Sequence, residues 1–128
     1  MKILGIDYGA KRVGIATADT DANMAFPRAV LHNKQDLIEE IKKICTLENI
    51  EKIVLGESKD LNGKDNAIAG EIAEFKKALE QSLGLPVFYE PEFYTSLQAS
   101  RIQGDSAMID ASAAAIILQS HLDKYKAR

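Results

Sequence analysis

Two apolar stretches open the chain with only four residues between them, and that spacing constrains everything that follows. Lys2 to Tyr8 and Val13 to Ala18 both have strand length and strand composition, and Gly9-Ala10-Lys11-Arg12 between them is a glycine-containing turn. Strands joined so tightly pair as antiparallel neighbours. A third short strand is expected over Arg28 to His32. The pattern then changes. From Lys34 to Asn49 the apolar residues Leu37, Ile38, Ile41, Ile44 and Cys45 recur at helical spacing among lysines and glutamates, which predicts an amphipathic helix. Lys52 to Gly56 reads as a strand, about Asn66 to Ser82 as a helix stopped by Gly84-Leu85-Pro86, and Val87 to Tyr89 as a fifth strand. Thr95 to Gln103 forms a short helix, and Asp110 to about Tyr125 a last, alanine-rich one. Alternating strands and helices imply parallel pairing through right-handed crossovers, with the opening hairpin antiparallel at one side. The expected fold class is α/β, a five-stranded mixed sheet with helices on both faces. Sites in such sheets gather at the carboxyl ends of the central strands.

At 128 residues the chain is expected to make one domain over 1–128 with a sizeable core. Hydrophobic residues at 46% and charged residues at 27% fit a soluble globular protein rather than a disordered or membrane one. No apolar run is long enough for a bilayer, and Met1-Lys2-Ile3-Leu4-Gly5 lacks a signal-peptide layout, so a cytoplasmic location without membrane contact is expected. The single cysteine, Cys45, cannot form an internal disulfide and reads as a packed apolar residue. A net charge of -3 argues against blanket attraction to nucleic acid, so any such binding needs a local basic patch.

Several carboxylates stand at the expected strand and helix ends. Asp7 closes an otherwise apolar strand on the face shared with Ile3 and Gly5, where a lone charge is costly unless a cation or a donor meets it. A turn aspartate bonded to the Gly9 backbone is the plainer reading. Asp110 at the start of the last helix reads, from residues alone, as a cap. Glu92 and Glu90 are two apart and share a face of any extended segment, and Glu57 follows the fourth strand. Lys11 and Arg12 sit on the turn after Asp7, where they could meet a phosphate. Lys59, Lys64, Lys76, Lys77, Lys124, Lys126 and Arg128 are scattered among acids and read as ordinary surface, and neither His32 nor His121 has a partner visible in sequence.

The segment Gly5-Ile6-Asp7-Tyr8-Gly9-Ala10-Lys11-Arg12-Val13-Gly14-Ile15-Ala16 resembles the opening signature of the YqgF/RuvX family, Holliday-junction resolvases also described as pre-16S ribosomal RNA nucleases. Ile109-Asp110-Ala111-Ser112-Ala113-Ala114-Ala115-Ile116-Ile117-Leu118-Gln119-Ser120-His121-Leu122-Asp123 is similar to that family's closing helix, so the resemblance spans nearly the whole chain. It implies a ribonuclease H-like fold and a metal-dependent endonuclease. Two ions about 4 Å apart, Mg²⁺ or Mn²⁺, then activate water for attack on phosphorus and stabilise the leaving oxygen. By the resemblance Asp7, Glu92 and Asp110 bind metal, with Glu57 supplementing or replacing Glu92, and Lys11 and Arg12 contact nucleic acid. The implied substrate is an rRNA precursor or branched DNA, handled by a monomer or a homodimer. Two segments differ from the family. Pro91-Glu92-Phe93-Tyr94-Thr95-Ser96 keeps the glutamate of Asp-Glu-Arg without its neighbours, and Gly56-Glu57-Ser58-Lys59-Asp60 replaces Gly-Leu-Pro and adds a carboxylate. A non-catalytic nucleic-acid-binding domain of the same fold is the alternative. Asp7-Tyr8-Gly9 after a strand is also similar to the phosphate-binding hairpin of actin-like kinases and ATPases, which need a second lobe for which this chain has no room.

Overall fold

The computed structural model of the protein describes residues 1–59, 69–93 and 107–126. The elements are β1 (Lys2–Tyr8), β2 (Arg12–Asp19), β3 (Met24–His32), α1 (Leu37–Glu48), β4 (Lys52–Lys59), α2 (Ala69–Leu83), β5 (Val87–Phe93) and α3 (Ala107–Lys126). They form one five-stranded sheet in the order β3-β2-β1-β4-β5. The β1–β2 and β2–β3 pairs are antiparallel, and the β1–β4 and β4–β5 pairs are parallel. The mixed sheet with helices on both faces is as the element order predicts.

The two-residue period of the strands sorts the core into two layers. Leu4, Ile6, Val13, Ile15, Ile53, Leu55 and Val87 face α1 and α2, packing on Leu37, Ile41, Cys45, Ile72, Phe75 and Leu79. Tyr8 continues that face and stacks at a tilt on Phe75, ring centroids 4.7 Å apart. On the other face Ile3, Ala16, Ala18 and Val54 receive Ala114, Ile117, Leu118 and Leu122 of α3. Small sheet residues let α3 come close. A Cβ added at Gly5 would lie 2.8 Å from the Leu118 Cβ and 3.1 Å from the Ala114 carbonyl oxygen.

The β1–β2 turn is equally tight. A Cβ at Gly9 would lie 2.5 Å from the Arg12 carbonyl oxygen. Asn33 fastens the turn from outside, its side-chain amide donating to the Gly9 carbonyl at 2.8 Å and its backbone N–H to that of Lys11 at 2.9 Å.

Several elements run beyond the sequence expectation, mostly at prolines. β3 begins at Met24, because Pro27 lies on an edge strand beside a register shift: Ile15 pairs Ala29 and Ala16 pairs Pro27, leaving Arg28 as the extra residue. β5 likewise passes through Pro91 and, among the described residues, pairs only with β4, so no second described neighbour requires its missing N–H. β4 lengthens with it to Lys59, opposite Phe93. α1 is shorter than expected and ends at Asn49 in the left-handed conformation (φ 57°), its N–H turned to the Cys45 and Thr46 carbonyls. α3 starts three residues early, so Asp110 lies inside its first turn rather than capping it. The expected helix over Thr95–Gln103 and the first residues of the expected Asn66–Ser82 helix lie outside the described residues. Among the described residues, no helix is long and apolar enough to cross a membrane.

Cys45 is buried in the α1 layer, and burial pushes its thiol up to about 11. At about pH 8 roughly one molecule in a thousand then carries the reactive thiolate. An aromatic disulfide reagent should modify the native protein far more slowly than the urea-unfolded chain. Rapid stoichiometric labelling of the native protein would contradict the packed position.

Candidate active site

Asp7 is placed by register. On β1 it shares the α3 face with Ile3 and Gly5, opposite to Tyr8. It pairs with Gly14 of β2. The parallel β1–β4 register ends at Ile6 with Leu55, so one step further Asp7 is level with Gly56, which itself pairs with Glu90 of β5. The row across four strands is therefore Gly14, Asp7, Gly56, Glu90. Glycine on both adjoining strands leaves the half-buried Asp7 carboxylate without flanking side chains in its own row. Arg12 lies on this same face of β2, two residues before Gly14. Lys11 is exposed at the turn.

The direction of α3 brings Asp110 to the same end of the sheet. Gln119 is bonded at the far end, accepting from the Ala25 N–H at 2.9 Å and donating to the Asn23 carbonyl at 3.1 Å. Ala114 and Leu118 lie over Gly5, nearer the middle of β1. Moving back along α3 therefore runs toward the carboxyl end of β1, and Asp110 is one turn beyond Ala114 in that direction. The helix crosses the sheet, with its first turn on the Asp7 side of Gly5 and its last turns tied to Glu90 of β5.

β5 carries both glutamates weighed from sequence. Val87 and Tyr89 face α1 and α2, so Phe88 and Glu90 face α3. Glu90 is 3% exposed and fully engaged. The Lys124 ammonium is ion-paired with its Oε2, Ser120 Oγ donates to the same oxygen at 3.2 Å, and His121 Nδ1 lies 3.5 Å from Oε1. That occupation separates Glu90 from Glu92, which sits two residues nearer the carboxyl end, level with Ser58. The side chains of Glu92 and Asp110 lie outside those described, and among the described residues no group of three or more His, Cys, Asp or Glu side chains could hold a metal ion.

Glu57 does not fit its expected place. The expectation set it in a loop after β4, able to reach Asp7 across the strand ends. β4 does lie beside β1, but it continues through Glu57, and with Val54 on the α3 face the pleat turns Glu57 toward α1 and α2. The residue beside Asp7 is Gly56. Sequence reasoning also missed the Glu90 cluster, whose signal was the Phe88, Glu90, Glu92 alternation together with Ser120, His121 and Lys124 on one side of α3.

His121 is buried beside this cluster. Burial, and then the positive charge of Lys52, hold its pKa below the ordinary 6.5, outweighing the pull of Glu90 the other way. The unfolded chain therefore takes up a proton near pH 6.5 that the folded protein refuses, so this contribution to stability is present above that pH and falls below it. Wild-type protein should lose more melting temperature than His121→Asn between about pH 7.5 and pH 5.5. Equal losses would remove His121 as the cause.

Solved structures define the fold class. RuvC of T. thermophilus in complex with a Holliday junction substrate matches with a TM-score of 0.60 at 14% identity, over 99% of this chain and 96% of that one. The Fowlpox virus Holliday junction resolvase matches with a TM-score of 0.57 at 15% identity, over 98% and 99%. The fold is ribonuclease H-like. The sequence then narrows it. The family profile described as RuvX, Holliday junction resolvase, matches residues 1–124. A relative from Nitratidesulfovibrio vulgaris (strain DSM 19637 / Miyazaki F) is 34% identical over 138 aligned positions, covering 100% of this chain and 97% of its own. One from Syntrophomonas wolfei is 36% identical over 134, covering 96% and 94%. Both bear, in provisional form, the name pre-16S rRNA nuclease. The chain belongs to the RuvX family.

Proposed function

We propose that this protein is a divalent-metal-dependent endonuclease that hydrolyses phosphodiester bonds in structured nucleic acid, with an rRNA precursor as first choice of substrate and branched DNA as second. The observation that carries the reading is the Asp7 row: a carboxylate at the end of an apolar strand, with glycine on each side, at the end of the sheet where α3 begins. The donor chemistry fits. Asp7, Glu92 and Asp110 offer hard anionic oxygens suited to Mg²⁺ or Mn²⁺, and no thiol or imidazole competes in the set. When bound, such an ion supplies positive charge that polarises the scissile phosphate and acidifies the attacking water. The residues themselves have simpler tasks. Asp7 would fix the centre on the central strand β1, with Glu92 belonging to β5 and Asp110 to the first turn of α3. Arg12 on the same face, with Lys11 beyond it, would give the substrate backbone a local positive contact in a chain of net charge -3. The first choice of substrate rests on the names of the relatives, and the second on the family description and the substrate bound to T. thermophilus RuvC.

The test is cleavage of a labelled 16S rRNA precursor and of a four-way DNA junction by wild-type and Asp7→Asn protein, in Mn²⁺ and in chelator. Wild-type cleavage that needs Mn²⁺ and is lost in Asp7→Asn supports the reading. Equal activity in both proteins, or none in either, favours a nucleic-acid-binding domain without catalysis.

A further inference from the structure

Glu90 is a buried carboxylate to which the proposed chemistry gives no task. Its partners Ser120, His121 and Lys124 all belong to the carboxyl half of α3, so it ties that half of the helix to strand β5. The tie has a geometric consequence. α3 rests on the sheet at Gly5, beneath Ala114 and Leu118, where no sheet side chain intervenes. Asp110 lies on one side of this contact and the Glu90 partners on the other, with about 21 Å of helix between Asp110 and Lys124. A rigid rod seated near its middle and fastened at one end has its other end fixed as well. Fourteen residues of helix do not bend appreciably without a proline or a bulge, and none lies between Asp110 and Lys124. Glu90 is also two residues from Glu92 on the same face of β5. One carboxylate therefore links the two segments that carry the distant members of the proposed metal set.

We propose that Glu90 is a positioning residue: by holding Ser120, His121 and Lys124 it sets the angle of α3 across the sheet, and so where Asp110 and Glu92 stand relative to Asp7 when a divalent cation binds. This rests on the nuclease reading above. Neutralising Lys124 matters as much as removing Glu90, because the ammonium is the charged partner and its half-exposed stem reaches the carboxylate from the solvent side. Lys124→Arg keeps the charge and the reach, and keeps the tie.

Direct Mn²⁺ binding, measured by titration calorimetry on the full chain without substrate, tests the idea. The proteins are wild type, Glu90→Gln, Lys124→Met, Lys124→Arg and Leu79→Ala, the last loosening the opposite core layer. Circular dichroism establishes that each is folded at the working temperature. Glu90→Gln and Lys124→Met should bind Mn²⁺ about tenfold or more weakly, the size of effect that outer-sphere partners of metal ligands have. Lys124→Arg and Leu79→Ala should bind as wild type does. If Glu90→Gln does not fold, the Lys124 pair carries the test, since that side chain is 56% exposed. Unchanged Mn²⁺ binding in Lys124→Met, or an equal loss in Leu79→Ala, would overturn the positioning role and leave the nuclease reading standing. A wild-type protein that binds no Mn²⁺ would remove both.

Discussion

Asp7→Asn is expected to lower metal-dependent cleavage by about a hundred- to a thousandfold, the usual cost of deleting one pre-arranged electrostatic partner from a reacting centre. Asparagine has nearly the same shape, so the β1–β2–β4 register and the packing of Ile3 and Gly5 beneath α3 should persist. What changes is the charge. Hard cations bind anionic oxygen far better than amide oxygen, and the one other carboxylate in the Asp7 row, Glu90, is already held by Ser120, His121 and Lys124 and cannot replace the loss. The glycines at Gly14 and Gly56 make the substitution sharper, because neither neighbour in the row carries a carboxylate. Raising Mn²⁺ should recover part of the rate if the defect is in holding the ion. Melting followed by circular dichroism should remain cooperative. A variant that cleaves as fast as wild type would sink the assignment of Asp7, whatever the fate of the family reading.

The opening hairpin, the crossover order and the two-faced core were legible in the sequence because they rest on period and turn chemistry, which are local. Asp7 was legible for the same reason: a charge at the end of an apolar strand conflicts with its surroundings. Glu57 was misplaced because its face depends on whether β4 stops at Gly56 or continues. The continuation is decided by pairing with β5, a strand whose own length was hidden by Pro91. The edge position that makes Pro91 harmless is a fact of topology that no local window contains. Glu90 and Glu92 were indistinguishable for a related reason. They share a strand and a face, and only the approach of Lys124, Ser120 and His121, some thirty residues away, buries one of them in partners.

Gly5 is where the close approach of α3 can be tested most severely. Glycine-to-valine in a strand ordinarily gains, since β-branched residues suit the pleat and glycine carries an entropic cost. Here the sign should reverse. The first added atom alone would sit 2.8 Å from the Leu118 Cβ, which is fixed to the helix backbone and cannot rotate away, and 3.1 Å from the Ala114 carbonyl. Valine adds two further methyls to that collision, so α3 must lift from β1. Overpacking of this kind costs about 3 kcal/mol at the upper end of its usual range. For a domain of this size that is a fall in melting temperature of roughly 10 °C. Cleavage should fall further than the loss of folded protein accounts for, because a helix raised at Gly5 carries Asp110 with it, away from Asp7. The measurement pairs a thermal melt with Mn²⁺-dependent cleavage well below the variant's midpoint, where the protein is still folded. Gly5→Val protein with wild-type melting and wild-type cleavage would mean that α3 is not seated on β1 at this point, and the proposal that Asp7 and Asp110 share a site would lose its physical basis.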